Sequence, residues 1–317
     1  MSEPFRLMLD NTRKSLWQEC KRKSLYRDFC GLKPIRLDSS GLEFGKAIHI
    51  GTEVIDKTGD VNLAKETFSS VYPDCYSSHK VRSIARGHEL LEAYYEFVSE
   101  RNFDFILPEG EGAELSFQVP VTSEIYHVGR CDRFLRDGTP IEIKTTYYLY
   151  DKFGSSLDYL TSWQGHASIQ GYAWITKATQ AGVIGLGVYP QIANKSAGKK
   201  EAKIYLPAVD YLIWALEEDE LEVWQTEIVS VGTEILEWYD KYGLHPQDYH
   251  NNLDKVLKDR LHIHFPRNTN RCNDYHSVCQ YRDLCLRNLP DGMIEPYYYI
   301  DPFEPWKCFK DDNDNTV

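Results

Sequence analysis

Asp132, Glu142 and Lys144 are the residues whose types and spacing could do chemistry together. They lie in Gly129-Arg-Cys-Asp132-Arg-Phe-Leu-Arg-Asp-Gly-Thr-Pro-Ile-Glu142-Ile-Lys144, which reads as two short strands joined by a turn at Asp137-Gly138. Side chains repeat every second residue in a strand, so Glu142 and Lys144 share a face, and a hairpin can bring Asp132 beside them. Two carboxylates and one amine at one point form a hard-cation site with a proton-handling or charge-stabilising group next to it. That set suits hydrolysis of a phosphodiester. The spacing alone equally allows a surface salt-bridge ladder on an edge hairpin. Glu142 and Lys144 flank an isoleucine on an otherwise apolar strand, where polar groups are costly unless they serve a site, and this favours the first reading.

Two further groups have ligand chemistry. His49 and Glu53 are i and i+4 in Phe44-Gly45-Lys46-Ala47-Ile48-His49-Ile50-Gly51-Thr52-Glu53, on one face of a helix. They could support one cation or be a helix-surface pair. Cys272, Cys279 and Cys285 fall within fourteen residues, with His276 among them. Zinc would need four ligands, for example the three thiolates and His276. An iron–sulfur cluster would need a fourth thiolate, from Cys20, Cys30, Cys75, Cys131 or Cys308.

The elements that must position these residues are legible in coarse form. Residues 11–30, Leu42–Lys57, Val81–Glu100 and Ser156–Ala178 have helical spacing, and Asp210–Tyr242 reads as a long amphipathic helix. Three strands are expected at Glu114–Val121, Glu124–Leu135 and Thr139–Thr146. Their partial alternation suits a sheet covered on both faces. A buried strand is expected at Ala181–Pro190, with Ala202–Leu206 as its partner. The order of helix, strands, helix and strand gives one α/β domain with accessory helices at both ends.

The 317 residues suffice for one large domain or two smaller ones, and 42% hydrophobic with 13% aromatic content specifies a folded core. No apolar run reaches membrane-span length and the first residues lack signal-peptide character, so the expected setting is the cytoplasm, or the host cytoplasm if the protein is viral. Thiols stay reduced there, which makes the eight cysteines core residues or metal ligands rather than disulfides. The net charge of −12 is unfavourable for contact with nucleic acid, but it is unevenly spread. Residues 13–36 hold eight Lys or Arg against Glu19 and Asp28, while residues 210–240 hold ten acidic residues and no Lys or Arg. The basic run could line a groove; the acidic one reads as a solvated helix face.

Together these motifs resemble the PD-(D/E)XK nuclease superfamily, in its RecB-like exonuclease branch, which includes CRISPR-adaptation nucleases and related phage proteins. Phe44-Gly-Lys-Ala-Ile-His49 resembles the histidine motif of that branch, and Gly129-Arg-Cys-Asp132 its aspartate motif, with Cys131 in place of proline. Glu142-Ile143-Lys144 resembles the E-x-K motif, and Ile169-Gln170-Gly-Tyr172 the glutamine–tyrosine motif, with a shorter spacing. Ser15-Leu-Trp-Gln-Glu-Cys20 resembles the N-terminal cysteine motif of members that carry a [4Fe–4S] cluster.

The resemblance implies a restriction-endonuclease-like core with a central mixed β-sheet flanked by helices, plus helical N- and C-terminal segments. It places an N-terminal helical segment at 1–40, the nuclease core at 41–208, a helical, Cys-rich region at 209–305 and an acidic, disordered tail at 306–317. It implies a metal-dependent DNA nuclease acting as an exonuclease in nucleic-acid processing, recombination or repair. Its Mg²⁺ or Mn²⁺ would be held by His49, Asp132, Glu142 and the Ile143 carbonyl. Lys144 would orient or deprotonate the attacking water or stabilise phosphorane charge, and Gln170 and Tyr172 would position the strand or the Lys144 network. Cys20, Cys272, Cys279 and Cys285 would ligate the cluster, with zinc as the alternative. The implied partners are DNA, as single strands or duplex ends, and a separate helicase or recombination protein, since the chain has no P-loop of its own. The competing readings are a catalytically inactive nuclease fold that binds DNA or assembles with partners, and a zinc-stabilised interaction protein.

Overall fold

A computed structural model of the chain describes residues 6–35, 40–76, 81–107, 114–147, 149–150, 155–188, 192–193, 203–204, 208–246, 248–272, 278–287, 294 and 297–301. In chain order these form β1 (Leu7–Leu9), α1 (Asn11–Glu19), α2 (Lys21–Ser24), β2 (Leu32–Pro34), α3 (Ser40–Thr58), α4 (Val61–Val71), α5 (Ile84–Arg101) and β3 (Phe105–Ile106). Next come β4 (Leu115–Pro120), β5 (Ile125–Cys131), β6 (Arg133–Leu135), β7 (Pro140–Thr146), α6 (Leu157–Thr161), α7 (Ala167–Thr176) and β8 (Gln180–Gly187). The last are β9 (Ile192–Ala193), β10 (Lys203–Ile204), β11 (Ala208–Ala215), α8 (Glu218–Tyr242), α9 (Tyr249–Lys258), α10 (Arg282–Arg287) and β12 (Tyr298–Ile300). His276, Cys308 and the tail at 306–317 lie outside the described residues. No described helix is long and apolar enough to cross a membrane.

The fold is mixed α/β, with a mixed sheet flanked by helices, as the resemblance implies. The chain divides into two units, one of residues 38–115 and 130–222 and the other of 1–37, 116–129 and 223–317. The first contains a five-stranded sheet in the order β11-β8-β7-β6-β3. β7 and β8 run parallel, and the other pairs are antiparallel. Gly138, at φ +88°, makes the turn between β6 and β7, a left-handed conformation that glycine adopts without steric cost.

Period-two alternation gives this sheet two buried faces. Ile141 and Ile143 of β7, with Ile184 and Leu186 of β8, pack against Phe44, Ala47 and Ile48 of α3 and Leu90, Leu91 and Tyr94 of α5. On the opposite face Val183 packs with Leu149 and Leu160, and Ala181 with Ile169 and Ala173 of α7. Glu142 and Lys144 alternate with the isoleucines and so belong to that opposite face. Burying a large apolar side chain contributes roughly 1.5–3 kcal/mol, so register is firmly set where both faces are covered.

Three expected elements differ in a way that matters for the site. The strand expected over Glu124–Leu135 breaks at Asp132: Ile125–Cys131 joins a β1-β5-β4 sheet, and Arg133–Leu135 joins the five-stranded one. The helix expected over Ser156–Ala178 is two helices separated by residues 162–166. The helix expected from Asp210 begins only at Glu218, because Ala208–Ala215 is a strand paired along its whole length with β8. β11, rather than Ala202–Leu206, is therefore the antiparallel partner of β8; Lys203–Ile204 pairs with Ile192–Ala193 instead.

The second unit contains the β1-β5-β4 sheet, α1, α2, α8, α9, α10 and the β2-β12 pair. Its core is aromatic: Trp17 packs edge-on against Trp238 and stacks on Phe29, which stacks on Tyr239. The helix expected across 11–30 stops at Cys20, which is extended at φ −160°. Its cap comes from distant chain: the Asn268 side chain donates to the Glu19 carbonyl at 3.0 Å, and the Asn268 N–H donates to the Cys20 sulfur at 3.5 Å. The two charge runs meet here. Buried Lys14 pairs with Glu227 at 2.5 Å, and Lys21 with Glu234, so part of the basic run neutralises part of the acidic helix instead of lining a groove.

Candidate metal centre and cysteine cavity

Asp132 is the pivot of the first candidate site. It stands between β5 and β6, 6% exposed, and its two oxygens face different partners. Oδ2 accepts the Ile143 peptide N–H at 2.7 Å, which locks the carboxylate onto β7, and lies 3.8 Å from the Lys144 ammonium. Oδ1 lies 3.3 Å from His49 Nδ1. Lys144 Nζ is 2.7 Å from Glu142 Oε2, as their shared strand face requires.

His49 reaches the site from α3, whose apolar face of Phe44, Ala47, Ile48, Gly51 and Ile55 is buried. Its imidazole does not act with Glu53, as the i, i+4 spacing suggested; Glu53 pairs with Lys57 at 3.1 Å. Instead His49 Nδ1 lies 3.9 Å from Glu114, a residue with no assigned role in the sequence. His49, Glu114 and Asp132 each offer a ligand atom, all within 4.8 Å of one another, a set able to hold a metal ion. Glu114 stands just before β4 as one of many surface-type carboxylates, and no motif marks it. Its other oxygen accepts from Arg130 at 2.9 Å.

Burial and mutual charge split the ionisable groups. Burial works to raise the Asp132 carboxyl, but the His49 imidazole and then Lys144 outweigh it and hold the group below the usual carboxylate range. Burial and the neighbouring Asp132 push Glu142 well up. Burial alone would lower the Lys144 ammonium; Glu142 and Asp132 overcome this and push it up. The two carboxylates thus favour the charged form of Lys144, the form that stabilises negative charge.

The remaining residues of the predicted site have supporting places. Tyr172, on α7, is 7% exposed and donates its hydroxyl to the Arg130 carbonyl at 2.8 Å, steadying the strand that leads to Asp132. Gln170 lies one turn into α7, its backbone N–H donating to the His166 carbonyl at 3.1 Å. Behind the site, Arg133 is 1% exposed and binds Asp56 at 2.6 Å, the Asp132 carbonyl at 2.5 Å and the Thr52 hydroxyl at 3.5 Å. Tyr94 donates to both Asp56 oxygens at 3.0 Å. One buried guanidinium therefore ties α3, which carries His49, to the backbone of Asp132.

In the other unit, Cys20, Cys272, Cys279 and Cys285 line one cavity. All four are free thiols. The Cys279 N–H donates to the Cys272 carbonyl at 2.8 Å, closing the loop between them, and Arg22 donates to the Cys285 sulfur at 3.6 Å. Arg22, Lys23, Arg267, Arg271 and Arg282 line the same cavity.

No family model matches this chain. No curated protein matches it either. Among solved structures, a phage-related exonuclease from Haemophilus somnus 129PT aligns with it over 68% of this chain and 92% of that chain, at 16% identity and a TM-score of 0.30. At that TM-score the likeness decides nothing about this chain, and its chemistry has to come from its own side chains.

Proposed function

We propose that the protein is a metal-dependent DNA nuclease of the PD-(D/E)XK type acting as an exonuclease. The observation that carries the reading is the buried Asp132, with one oxygen toward His49 and the other toward Lys144. A buried carboxylate with an imidazole and a second carboxylate on one side, and a charged amine on the other, is a costly arrangement for a surface ladder and a useful one for phosphate chemistry.

His49, Glu114 and Asp132 would hold Mg²⁺ or Mn²⁺, with Glu142 and the Ile143 carbonyl on the β7 side; imidazole makes Mn²⁺ a good match. When bound, the cation supplies polarisation of the phosphoryl group and acidification of a water. Lys144 then donates to a non-bridging phosphate oxygen and stabilises the charge that grows there as the phosphodiester opens. Glu142 holds that ammonium in place, and Tyr172 and Arg133 hold Asp132.

For the cysteine cavity we propose a [4Fe–4S] cluster on Cys20, Cys272, Cys279 and Cys285. All four cysteines line one cavity, which supports a single group shared by their four thiolates. The cluster would tie residue 20 to residues 272–285 as a structural staple.

The test is end-labelled single- and double-stranded DNA with Mg²⁺ or Mn²⁺, alongside EDTA and Lys144→Ala. Shortening from an end that needs both the metal and Lys144 is expected. Full activity in Lys144→Ala would overturn the assignment, and internal cuts would overturn the exonuclease part alone.

A further inference from the structure

The turn that splits α6 from α7 places aromatic rings beside Lys144. The Lys144 ammonium lies 5.5 Å from the ring centre of Trp163. Trp163 packs at 4.7 Å against His166, the planes 47° apart, and at 6.4 Å against Tyr159. Trp163 is half-buried and packs against two apolar clusters, one of Leu149, Leu160 and Val183 and one that includes Ile169 and Ala173. His166 is exposed above it, and the Ser168 hydroxyl lies 2.9 Å from its Nδ1, fixing the ring plane. Gly165, next to His166, is at φ +74°, with nothing within 4 Å of where its Cβ would stand apart from its chain neighbours.

We infer that His166, seated on Trp163 beside Lys144, is a stacking platform for an unpaired nucleobase, so that the strand to be cut enters the site single-stranded. This rests on the nuclease reading, which puts the scissile phosphate at Lys144. The base of a nucleotide hangs one sugar from its phosphate, and Trp163, 5.5 Å from the ammonium, carries His166 at 4.7 Å. Inside a duplex a paired base has both faces covered by its neighbours, whereas an unstacked base offers a whole face to a side chain. Recognition of this kind tolerates any sequence, since every base has a π-face. Partial desolvation against its neighbours and the nearby Lys144 charge pull the His166 imidazole down, which favours the neutral ring over a second cation.

The test measures binding of fluorescein-labelled single-stranded oligonucleotides, in Ca²⁺ to suppress turnover, with a single abasic site stepped along the strand. The wild-type protein should lose roughly tenfold or more in affinity when the abasic site occupies one position, the one next to the cleaved bond. His166→Ala should bind about as weakly as that and no longer sense the abasic site, whereas His166→Phe should keep the dependence. The same sequence as a blunt duplex should bind less well than the single strand. Indifference of the wild-type protein to every abasic position, or full dependence surviving in His166→Ala, would overturn the platform. The parallel Mg²⁺ assay separates the two readings: cleavage without abasic dependence sinks the platform alone, and abasic dependence without cleavage sinks the nuclease alone.

Discussion

At the scale of single residues, Asp132 is shared between two sets of partners, and the consequences can be measured. Lys144→Ala removes the charged amine from a position 30% exposed at the side chain, so it should abolish cleavage while the fold, read by circular dichroism, is kept. Retained turnover would reassign Lys144 to a salt bridge with Glu142. Glu114→Gln tests the ligand that the sequence did not mark. Its loss should weaken Mn²⁺ binding by about ten- to a hundredfold, the scale for removing one partner of a metal site, read by titration calorimetry. Unchanged affinity would leave Glu114 as a partner of Arg130 only.

At the scale of elements, buried charge holds the site's parts in register. Arg133 and Asp56 are 1% and 2% exposed at their side chains and join α3, α5 and β6. Arg133→Met leaves the Asp56 carboxylate buried with Tyr94, and should cost about 3–5 kcal/mol by chemical denaturation. Asp56→Leu with Arg133→Met should recover much of that loss, because no charge is then stranded. A second element effect concerns pH. His127, in β5, is fully buried, with Nδ1 3.0 Å from the Leu9 carbonyl and the ring against Trp224. Burial pulls it from 6.5 to about 4. Between those values the unfolded chain carries a proton that the folded chain refuses. Stability should therefore be full above about 6.5 and fall as pH drops toward 4, by about 3 kcal/mol in all. His127→Phe should flatten that slope in denaturation curves taken across the window; an unchanged slope would place the titrating group elsewhere.

At the scale of the whole molecule, residues 20–34 and 272–300 are joined within one unit. β2 pairs with β12, Tyr281 donates to the Leu32 carbonyl at 2.6 Å, and Cys20 shares a cavity with three cysteines some 250 positions later. Protein purified without oxygen should be brown, and Cys20→Ser or Cys279→Ser should bleach it and lower the unfolding temperature. Colourless protein with stoichiometric zinc would replace the cluster with a zinc site. Closing so long a loop constrains the unfolded chain more than a short crosslink does, so the loss of stability should be large.

The sequence by itself determined the hairpin, its turn at Gly138 and the shared face of Glu142 and Lys144, because these follow from period-two alternation and one glycine turn. It also located α3, α5 and the strand at 180–187 to within a few residues, since long periodic apolar patterns survive in any tertiary setting. Only the tertiary structure decided where the periodic patterns stop. The Cys20 break is capped by Asn268, a partner 248 residues away. The strand break at Asp132 arises because the segments before and after it join different sheets. Ala208–Ala215 is a strand because β8 offers it a complete antiparallel edge, which overrides the helical reading. Glu114 and His166 carry no motif, and their place beside Asp132 and Lys144 is set by long-range packing that local spacing does not encode.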